Sequence, residues 1–506
     1  MSDPIRIELR PLGRSIEVER GTNLRDVLYA HGVEFPCGGR GRCKRCRVQL
    51  VEGTLPIDDE ESALLSDREK EEGWRLACRC RVEAPVSLAV EQFRAPILVD
   101  HTPFLFEPRP GHGVAVDLGT TTLVAQLLDL QTGRVLAAQT ALNPQGALGS
   151  DIMNRIELAL SEDGRLQLVA LARDAVEGLV RRAVTSAGLG GAPLEMLVLV
   201  GNTAMHHLFC GLDVAPLATV PFESESLGLQ ELRADEIGWK LPGNPLIRFL
   251  PCLGGFVGSD LLAGVLATRM HESDTLTALV DLGTNGEIVV GTGKRMLCTS
   301  TAAGPAFEAG GIEMGMQATT GAIDGVTAGD GSMQCRVLGG GGARGICGSG
   351  LVDAVAAGLD LGWIEPSGRL AEGRRIVHLD GPVHLTQNDV RQLQLAKGAI
   401  AAGLKILLRR LGTAGAATPQ VNLAGAFGNY VNRDSARRIG LLDYPDGKVE
   451  PVGNTALLGA KLALFAPERE AADISQLSER IEHVALAADS SFMEVFVGEM
   501  RFPDRS

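Results

Sequence analysis

Apolar and polar residues alternate over 5–10 and again over 15–19, a period of two that predicts a β-hairpin. Leu24, Val27 and Leu28 then fall at helical spacing behind Thr22 and Asn23, residues that open helices. "RVQLVEG" (47–53) reads as a strand, 57–72 is strongly acidic, and 75–91 reads as two more short strands. This pattern predicts a small β-rich domain of about 90 residues, a size that folds alone. Residues 92–111 are rich in proline and show neither period, as a linker would. Past it, "GVAVDLGTTTLVAQLLD" (113–129) is echoed by "LTALVDLGTNGEIVVGT" (276–292), with Asp117 and Asp281 164 residues apart. Each aspartate ends an apolar run, is followed by Leu-Gly-Thr, and leads into a second apolar run. The interval is far longer than a solenoid period, and it predicts two similar α/β subdomains facing each other. Helical patterns at 167–187, 390–412 and 453–466 separate the strands, as an α/β sheet requires. The expected units are 1–92, a linker 93–112, a first subdomain 113–275 and a second 276–506.

Composition narrows the function. With 45% hydrophobic and 22% charged residues, the 506-residue chain is globular, and its 63 glycines are spread along it rather than concentrated. A net charge of −14 and only 4% aromatics argue against nucleic acid or an anionic membrane as partner. The opening "MSDPIRIELR" is polar and alternating, unlike a leader, and no apolar run reaches the ~18 residues of a membrane span. A cytoplasmic protein is expected. There, clustered cysteines point to metal rather than disulfides.

The cysteines are clustered. In "EFPCGGRGRCKRCRVQL" (34–50), Cys37, Cys43 and Cys46 stand at spacings of five and two intervening residues, and Cys78 and Cys80 follow in "RLACRC". An iron–sulfur cluster needs thiolates converging from one loop plus a distant position. Gly38, Gly39 and Gly41 let the backbone wrap closely and point N–H groups inward. Zinc is the rival, but it prefers two C-x2-C pairs, and a C-x-C second pair suits it poorly. The loop resembles ferredoxins with a five-residue first gap, over residues 1–92. The resemblance implies a 2Fe-2S cluster on Cys37, Cys43, Cys46 and Cys78, with Cys80 the alternative fourth ligand. Arg40, Arg42, Lys44, Arg45 and Arg47 surround the loop with no acid among them. They read as a solvated loop or as a docking patch for an acidic electron partner.

"DLGTTT" (117–122) and "DLGTNGE" (281–287) each put an aspartate at a strand end before a glycine turn. Free N–H groups and hydroxyls in such turns suit phosphate oxygens, and the aspartate can hold Mg2+ directly or through water. Candidate nucleotide contacts are Gly119, Thr120, Thr121 and Thr122 in the first loop. In the second they are Gly283, Thr284, Asn285, Gly286 and Glu287. Asp117 and Asp281 are the candidate catalytic pair. In "VNLAGAFGNYVN" (421–432), a strand enters Gly425-Ala426-Phe427-Gly428, where small residues admit a flat base. Gly201, Asn202 and Thr203, between a strand and a helix, and Gly304 in "STAAGPAFEAGGIEMGM" are candidates for the same cleft. Glu308 is a carboxylate to watch there. Adjacent His206 and His207 point apart by about 100° on a helix and read as core. There is no G-x-x-x-x-G-K-[ST] loop, which excludes a P-loop enzyme.

This ordered set resembles the superfamily of acetate and sugar kinases, heat-shock chaperones and actin, over about 113–466. The expected fold is therefore an α+β ferredoxin-like β-grasp domain followed by a two-subdomain α/β actin-like ATPase. Joined, the two halves resemble the reductive activators of corrinoid proteins. "VGNTAMHHL", "GPAFEAGGI", "CGSGL", "LAGAFGNY" and "SSFMEVFVGEMRFP" stand where that family has comparable runs. The resemblance implies ATP-dependent return of one electron to Co(II) of a corrinoid methyltransferase system. It implies a corrinoid partner and an electron-donating reductase or ferredoxin, and it leaves room for a homodimer. Plant-type 2Fe-2S centres lie near roughly −400 mV, and Co(II)/Co(I) is expected lower still. Each ~59 mV of a one-electron gap is about 1.4 kcal/mol, so an energy source is required. Two departures stand out: DLGTTT starts soon after the ferredoxin, where longer members carry an extra domain, and no cysteine follows Cys347. Rival readings are an activator of another low-potential enzyme, a chaperone-like redox sensor, and a small-molecule kinase.

Overall fold

The computed structural model describes residues 4–10, 14–28, 33, 41, 46–90, 104, 106–149, 151–283, 285–413, 418–445, 447–466 and 468–504. The N-terminal unit is a five-stranded mixed sheet in the order Arg14–Val18, Ile5–Arg10, Val86–Ala89, Arg47–Glu52, Trp74–Leu76. Its first strand pairs antiparallel with its second and parallel with its last, the β-grasp arrangement. Ile7, Leu9, Leu24, Leu28, Val48, Leu76 and Leu88 form the core, and Cys46, Cys78 and Cys80 belong to the same apolar cluster. The acidic run folds into two short helices, Asp59–Leu64 and Asp67–Glu71. Asp58 caps the first, and a Ser66/Glu69 capping box opens the second.

The two sequence echoes are the central hairpins of two six-stranded sheets. The first sheet runs Gln230–Arg233, Leu246–Phe249, Leu194–Val200, His112–Leu118, Thr122–Asp129, Val135–Leu142. The second runs Val449–Gly453, Gln420–Ala424, Thr277–Leu282, Gly286–Thr292, Arg295–Thr301, Ile481–His483. In each, a three-stranded meander is extended by parallel strands on the side of the aspartate-bearing strand. The register is equivalent as well. Asp117 lies opposite Val200, one residue before Gly201, and Asp281 lies opposite Ala424, one residue before Gly425. The repeat thus extends beyond the hairpins to "VGNT" and "AGAF".

The expected helices form with small shifts at their ends. That over 167–187 spans Glu162–Ser186 and opens at the Ser161 cap, and that over 390–412 is Gln387–Arg410, opened by a Thr386/Asp389 capping box. Two helices cross at the centre of the molecule, Ser259–Thr268 (the crossing helix) and Thr455–Phe465 (the closing helix). A Cβ on Gly459 would lie 2.1 Å from the Ala263 carbonyl oxygen, so the two backbones meet directly. The closing helix packs against the sheet of the first half, sharing one core with Ala115, Val198 and Val200. No helix among the described residues is long and apolar enough to cross a membrane.

The stretch read as a linker is not free along its length. Phe104 and Phe106 pack on Phe465 at the end of the closing helix. Within the stretch read as a linker, the described aromatic side chains of Phe104 and Phe106 dock on the closing helix.

Candidate functional site

Asp117 sits near the end of strand His112–Leu118 with buried neighbours Val116 and Leu118, so alternation turns its carboxylate toward the space between the halves. The chain then turns tightly: the Gly119 N–H donates to the Thr122 carbonyl at 3.1 Å. A Cβ on Gly119 would come within 2.5 Å of that oxygen, so only glycine fits. Three elements hold the turn from behind. Asn143 Nδ2 donates to the Gly119 carbonyl (2.9 Å), and the Asn143 N–H donates to the Thr121 carbonyl (2.8 Å). The buried Arg155 guanidinium donates to the Thr120 carbonyl at 2.7 Å. Asn202 Nδ2 donates to Thr120 Oγ1 at 2.8 Å. Three consecutive carbonyls are thus turned into the protein, which leaves the opposite, N–H edge of the turn for an anion.

Asn202 also caps helix Thr203–Cys210, its Oδ1 accepting the Met205 N–H, and Thr203 Oγ1 donates to the Gly254 carbonyl at 2.6 Å. Both residues brace the first loop and its surroundings with their own polar atoms. Gly201 lies where a Cβ would meet the Leu118 carbonyl at 2.6 Å. Neither Asn143 nor Arg155 is marked by any sequence motif. His206 and His207 are buried, His207 bridging the Thr203 carbonyl and Ser224 Oγ at 2.8 Å each. Burial and the neighbouring His207 push His206 down to about 3, consistent with a core role.

The second loop has the same start and different supports. The Gly283 N–H donates to the Asn285 carbonyl at 3.0 Å, and Thr301 Oγ1 donates to the Gly286 carbonyl at 3.0 Å. Thr284 lies outside the described residues. Gly425, at φ +83°, approaches so closely that a Cβ would lie 2.5 Å from Asp281 Oδ1. Gly428 packs on Leu423, and the Phe427 ring lies 4.7 Å from that of Phe307 at 31°. The side chain of Ala426 lies outside the described residues. Gly304, at φ +72°, opens the short helix Pro305–Glu308, with open space around its Cβ position.

The carboxylates of the two halves act on one another. Burial, partly offset by a hydrogen bond from Asn454, raises Asp117 to about 6. Burial and the charge of Asp117 raise Asp281 to about 7. A third acid, Asp260 in the first turn of the crossing helix, is raised to about 7 by burial, then by Asp281 and Asp117. Glu287 is raised by burial, Asp260 and Asp281. Asp260 was not among the sequence candidates. Its signal is the echo of "VGSDLLAG" (257–264) in "VGNTALLG" (452–459), which places it at the head of the crossing helix. Four mutually repelling acids suit a divalent cation, which would reverse the pressure to protonate. Among the described residues no three His, Cys, Asp or Glu side chains converge to hold a metal by themselves.

In the N-terminal unit, Cys46 Sγ and Cys78 Sγ lie 3.4 Å apart. The Cys46 thiol lowers Cys78 to about 7 against burial, helped by the Gly41 backbone and the Arg79 charge. A thiol so inclined to ionise suits a metal-bound sulfur. Cys80 is different: it is 1% exposed, and burial and the nearby Glu61 push its thiol up. Cys37 and Cys43 lie outside the described residues, as do Arg40, Arg42, Lys44 and Arg45. Arg47 stacks over Trp74 (5.0 Å to the ring centroid) and faces Glu69 at 3.5 Å. It is tied to its own domain.

Three family models match in succession: the 2Fe-2S iron-sulfur cluster binding domain over 7–83, the RACo middle region over 112–273, and the C-terminal domain of RACo, the ASKHA domain, over 275–506. The chain is 33% identical over 437 residues to the corrinoid activation enzyme RamQ of Eubacterium limosum, covering 80% of this chain and 73% of that protein. It is 28% identical over 428 residues to the Co(II) methylated amine-specific corrinoid protein reductase of Methanosarcina barkeri, covering 77% of each. Among solved structures, a reductive activator for corrinoid, iron-sulfur protein superposes with a TM-score of 0.69 at 25% identity, over 99% of this chain and 98% of that one.

Proposed function

Because the chain belongs to the family of reductive activators of corrinoid proteins, we propose that it reduces the Co(II) of a partner corrinoid protein to Co(I) at the expense of ATP. One electron leaves a reduced 2Fe-2S cluster and one cobalt gains it, while ATP and water become ADP and phosphate. The observation that supports the ATP dependence is the equivalent register of the two aspartate-bearing strands, with Asp117 opposite Val200 before Gly201 and Asp281 opposite Ala424 before Gly425. When bound, the cluster supplies a one-electron donor of low potential.

Cys37, Cys43, Cys46 and Cys78 would hold that cluster, and Cys80 serves the core. Asp117 and Asp281 would hold Mg2+ and its waters, which would supply charge stabilisation to the phosphates. The turn after Asp117 and its counterpart after Asp281 would receive phosphate oxygens. Asp260, at the head of the crossing helix and in the field of Asp117 and Asp281, is a third carboxylate for the same cation and its waters. The glycines at 425 and 428 keep the wall beside Asp281 low enough for the nucleoside. A reductase or a second ferredoxin restores the electron, and the setting is cytoplasmic.

The test is anaerobic. Protein reduced through its cluster is mixed with a Co(II) corrinoid protein, and the Co(II) EPR signal is followed. ATP with Mg2+ is expected to cause its loss; the same slow rate with and without ATP would sink the reading. Iron analysis checks the donor. Cys78→Ser is expected to lose the cluster and Cys80→Ser to keep it, and stoichiometric zinc without iron would refute the cluster.

A further inference from the structure

The closing helix joins two places that the sequence keeps far apart. At its N-terminal end, Asn454 Nδ2 donates to Asp117 Oδ2 at 3.1 Å while Asn454 Oδ1 accepts the Leu457 N–H at 2.9 Å. One side chain thus holds both a carboxylate of the nucleotide cleft and the first turn of the helix. At the C-terminal end, the Leu464 carbonyl accepts from the Arg109 guanidinium. The Phe465 ring lies 4.7 Å from Phe106 and 5.2 Å from Phe104, and those two lie 5.5 Å apart. Lys461 Nζ stands 5.6 Å from the Phe104 ring centroid. The turn at Gly133 cups Phe106, because a Cβ there would lie 2.4 Å from its ring. Residues 104–110 are the nucleotide-side end of the stretch that leads from the ferredoxin unit.

Between these ends the helix is a stiff rod. Its 11 residues span about 16 Å at 1.5 Å each. It is buried almost throughout, and at Gly459 it rides on the backbone of Ala263 with no side chain between. The apolar residues on either side of that contact, Ala456, Leu457, Ala460 and Leu464, share one core with both sheets, so the helix moves as one body. The crossing helix beneath that contact carries Asp260 in its first turn.

We propose that Asn454 is a positioning residue and the closing helix a lever, which reports the engagement of Asp117 to Phe104 and residues 106–110. The inference rests on the nucleotide reading above. When the Asp117 carboxylate turns to Mg2+ and its waters, it releases Asn454, and the helix shifts about Gly459. The aromatic grip on Phe104 and Phe106 then loosens or tightens with nucleotide state.

Hydrogen exchange of the intact protein tests this, with Mg2+ and either ADP or a non-hydrolysable ATP analogue at saturation shown by calorimetry. The reporters are the Arg109 N–H, held by the Leu130 carbonyl at 3.1 Å, and the Leu130 N–H, held by the Gly111 carbonyl at 3.0 Å. Their exchange is expected to differ about tenfold between the two nucleotides, the shift of a local opening equilibrium. Asn454→Ser keeps a helix-capping oxygen but is too short to reach Asp117. It is expected to bind both nucleotides and to lose the difference at Arg109. A Phe104→Ala/Phe106→Ala double variant is expected to hydrolyse ATP normally and to lose the difference as well. Saturated wild type with equal exchange in both nucleotides overturns the lever alone, as does an unchanged difference in Asn454→Ser. Failure of either nucleotide to bind overturns the nucleotide reading and the lever with it.

Discussion

The two phosphate loops start from the same Asp-Leu-Gly-Thr and are held by different means. The first is braced by side chains of three elements, Asn143, Arg155 and Asn202, which take its carbonyls and the Thr120 hydroxyl. Among the described residues, the second is held by the Thr301 hydroxyl on the Gly286 carbonyl, by the Ile400 and Thr301 side chains packed on Gly286, and by the close approach of Gly425 to Asp281. The same motif is therefore fixed by side-chain donors in one half and mainly by close packing in the other, among the described residues.

The largest effect should fall on both loops alike. Asp117→Ala and Asp281→Ala are each expected to lower ATP hydrolysis by about 10²-fold or more, the scale of removing a group aimed at developing charge. The cluster absorbance should stay unchanged. Unaltered hydrolysis in both variants would break the assignment. Next, the braces should separate the halves. Arg155→Met leaves the Thr120 and Gly149 carbonyls without their donor, and is expected to cost about 2–4 kcal/mol by denaturant titration. Thr301→Val removes a single bond and should cost about 1 kcal/mol. Equal losses would erase the distinction drawn between the loops.

A smaller effect is expected from pH. Asp117, Asp281 and Asp260 titrate near 6 to 7 when folded against an ordinary 3.8, so between about pH 4 and 7 the native protein holds more protons than the unfolded chain. Their contribution to stability is complete below 3.8 and lost as pH rises through 6 to 7. The buried His206, lowered to about 3, acts in the opposite sense. A difference experiment isolates the acids: Asp260→Asn should gain melting temperature over wild type from pH 5 to pH 8. A gap that is flat with pH would show that Asp260 does not share the field of the other two. The smallest effect concerns Gly201→Ala, which is expected to weaken nucleotide binding less than Gly425→Ala. Gly425 alone of the pair has a positive φ, and its added Cβ would push on Asp281 itself. Calorimetry with the same analogue compares the two.

Both hairpins and their aspartates were legible because a strand–turn–strand writes its period and its glycine into adjacent residues. The cysteine spacing was legible as the mark of the iron-sulfur domain whose family model matches residues 7–83, while Cys37 and Cys43 themselves lie outside the described residues. The braces were not legible. Asn143 lies 24 residues from Gly119 and Arg155 35 residues from Thr120, in segments with no motif of their own. Asp260 looked like one acid among many, because its distinction is its proximity to Asp281 and Asp117. Phe104 and Phe106 looked like linker residues, because their partner, Phe465, is at the far end of the fold.

By itself, then, the sequence determined the local chemistry: which residues turn, which thiols stand ready for metal, which aspartates end a strand, and that the hairpin is repeated. Only the tertiary structure decided what those residues face. Strand register set Asp117 beside Gly201 and Asp281 beside Gly425. Helix packing brought Asn454 to Asp117, 337 residues away, and Leu464 to Arg109, 355 residues away. The physical reason is range. Backbone preferences and hydrophobic period act over a few residues, whereas the field on a carboxylate and the grip on an aromatic ring depend on whatever the fold sets within a few ångströms.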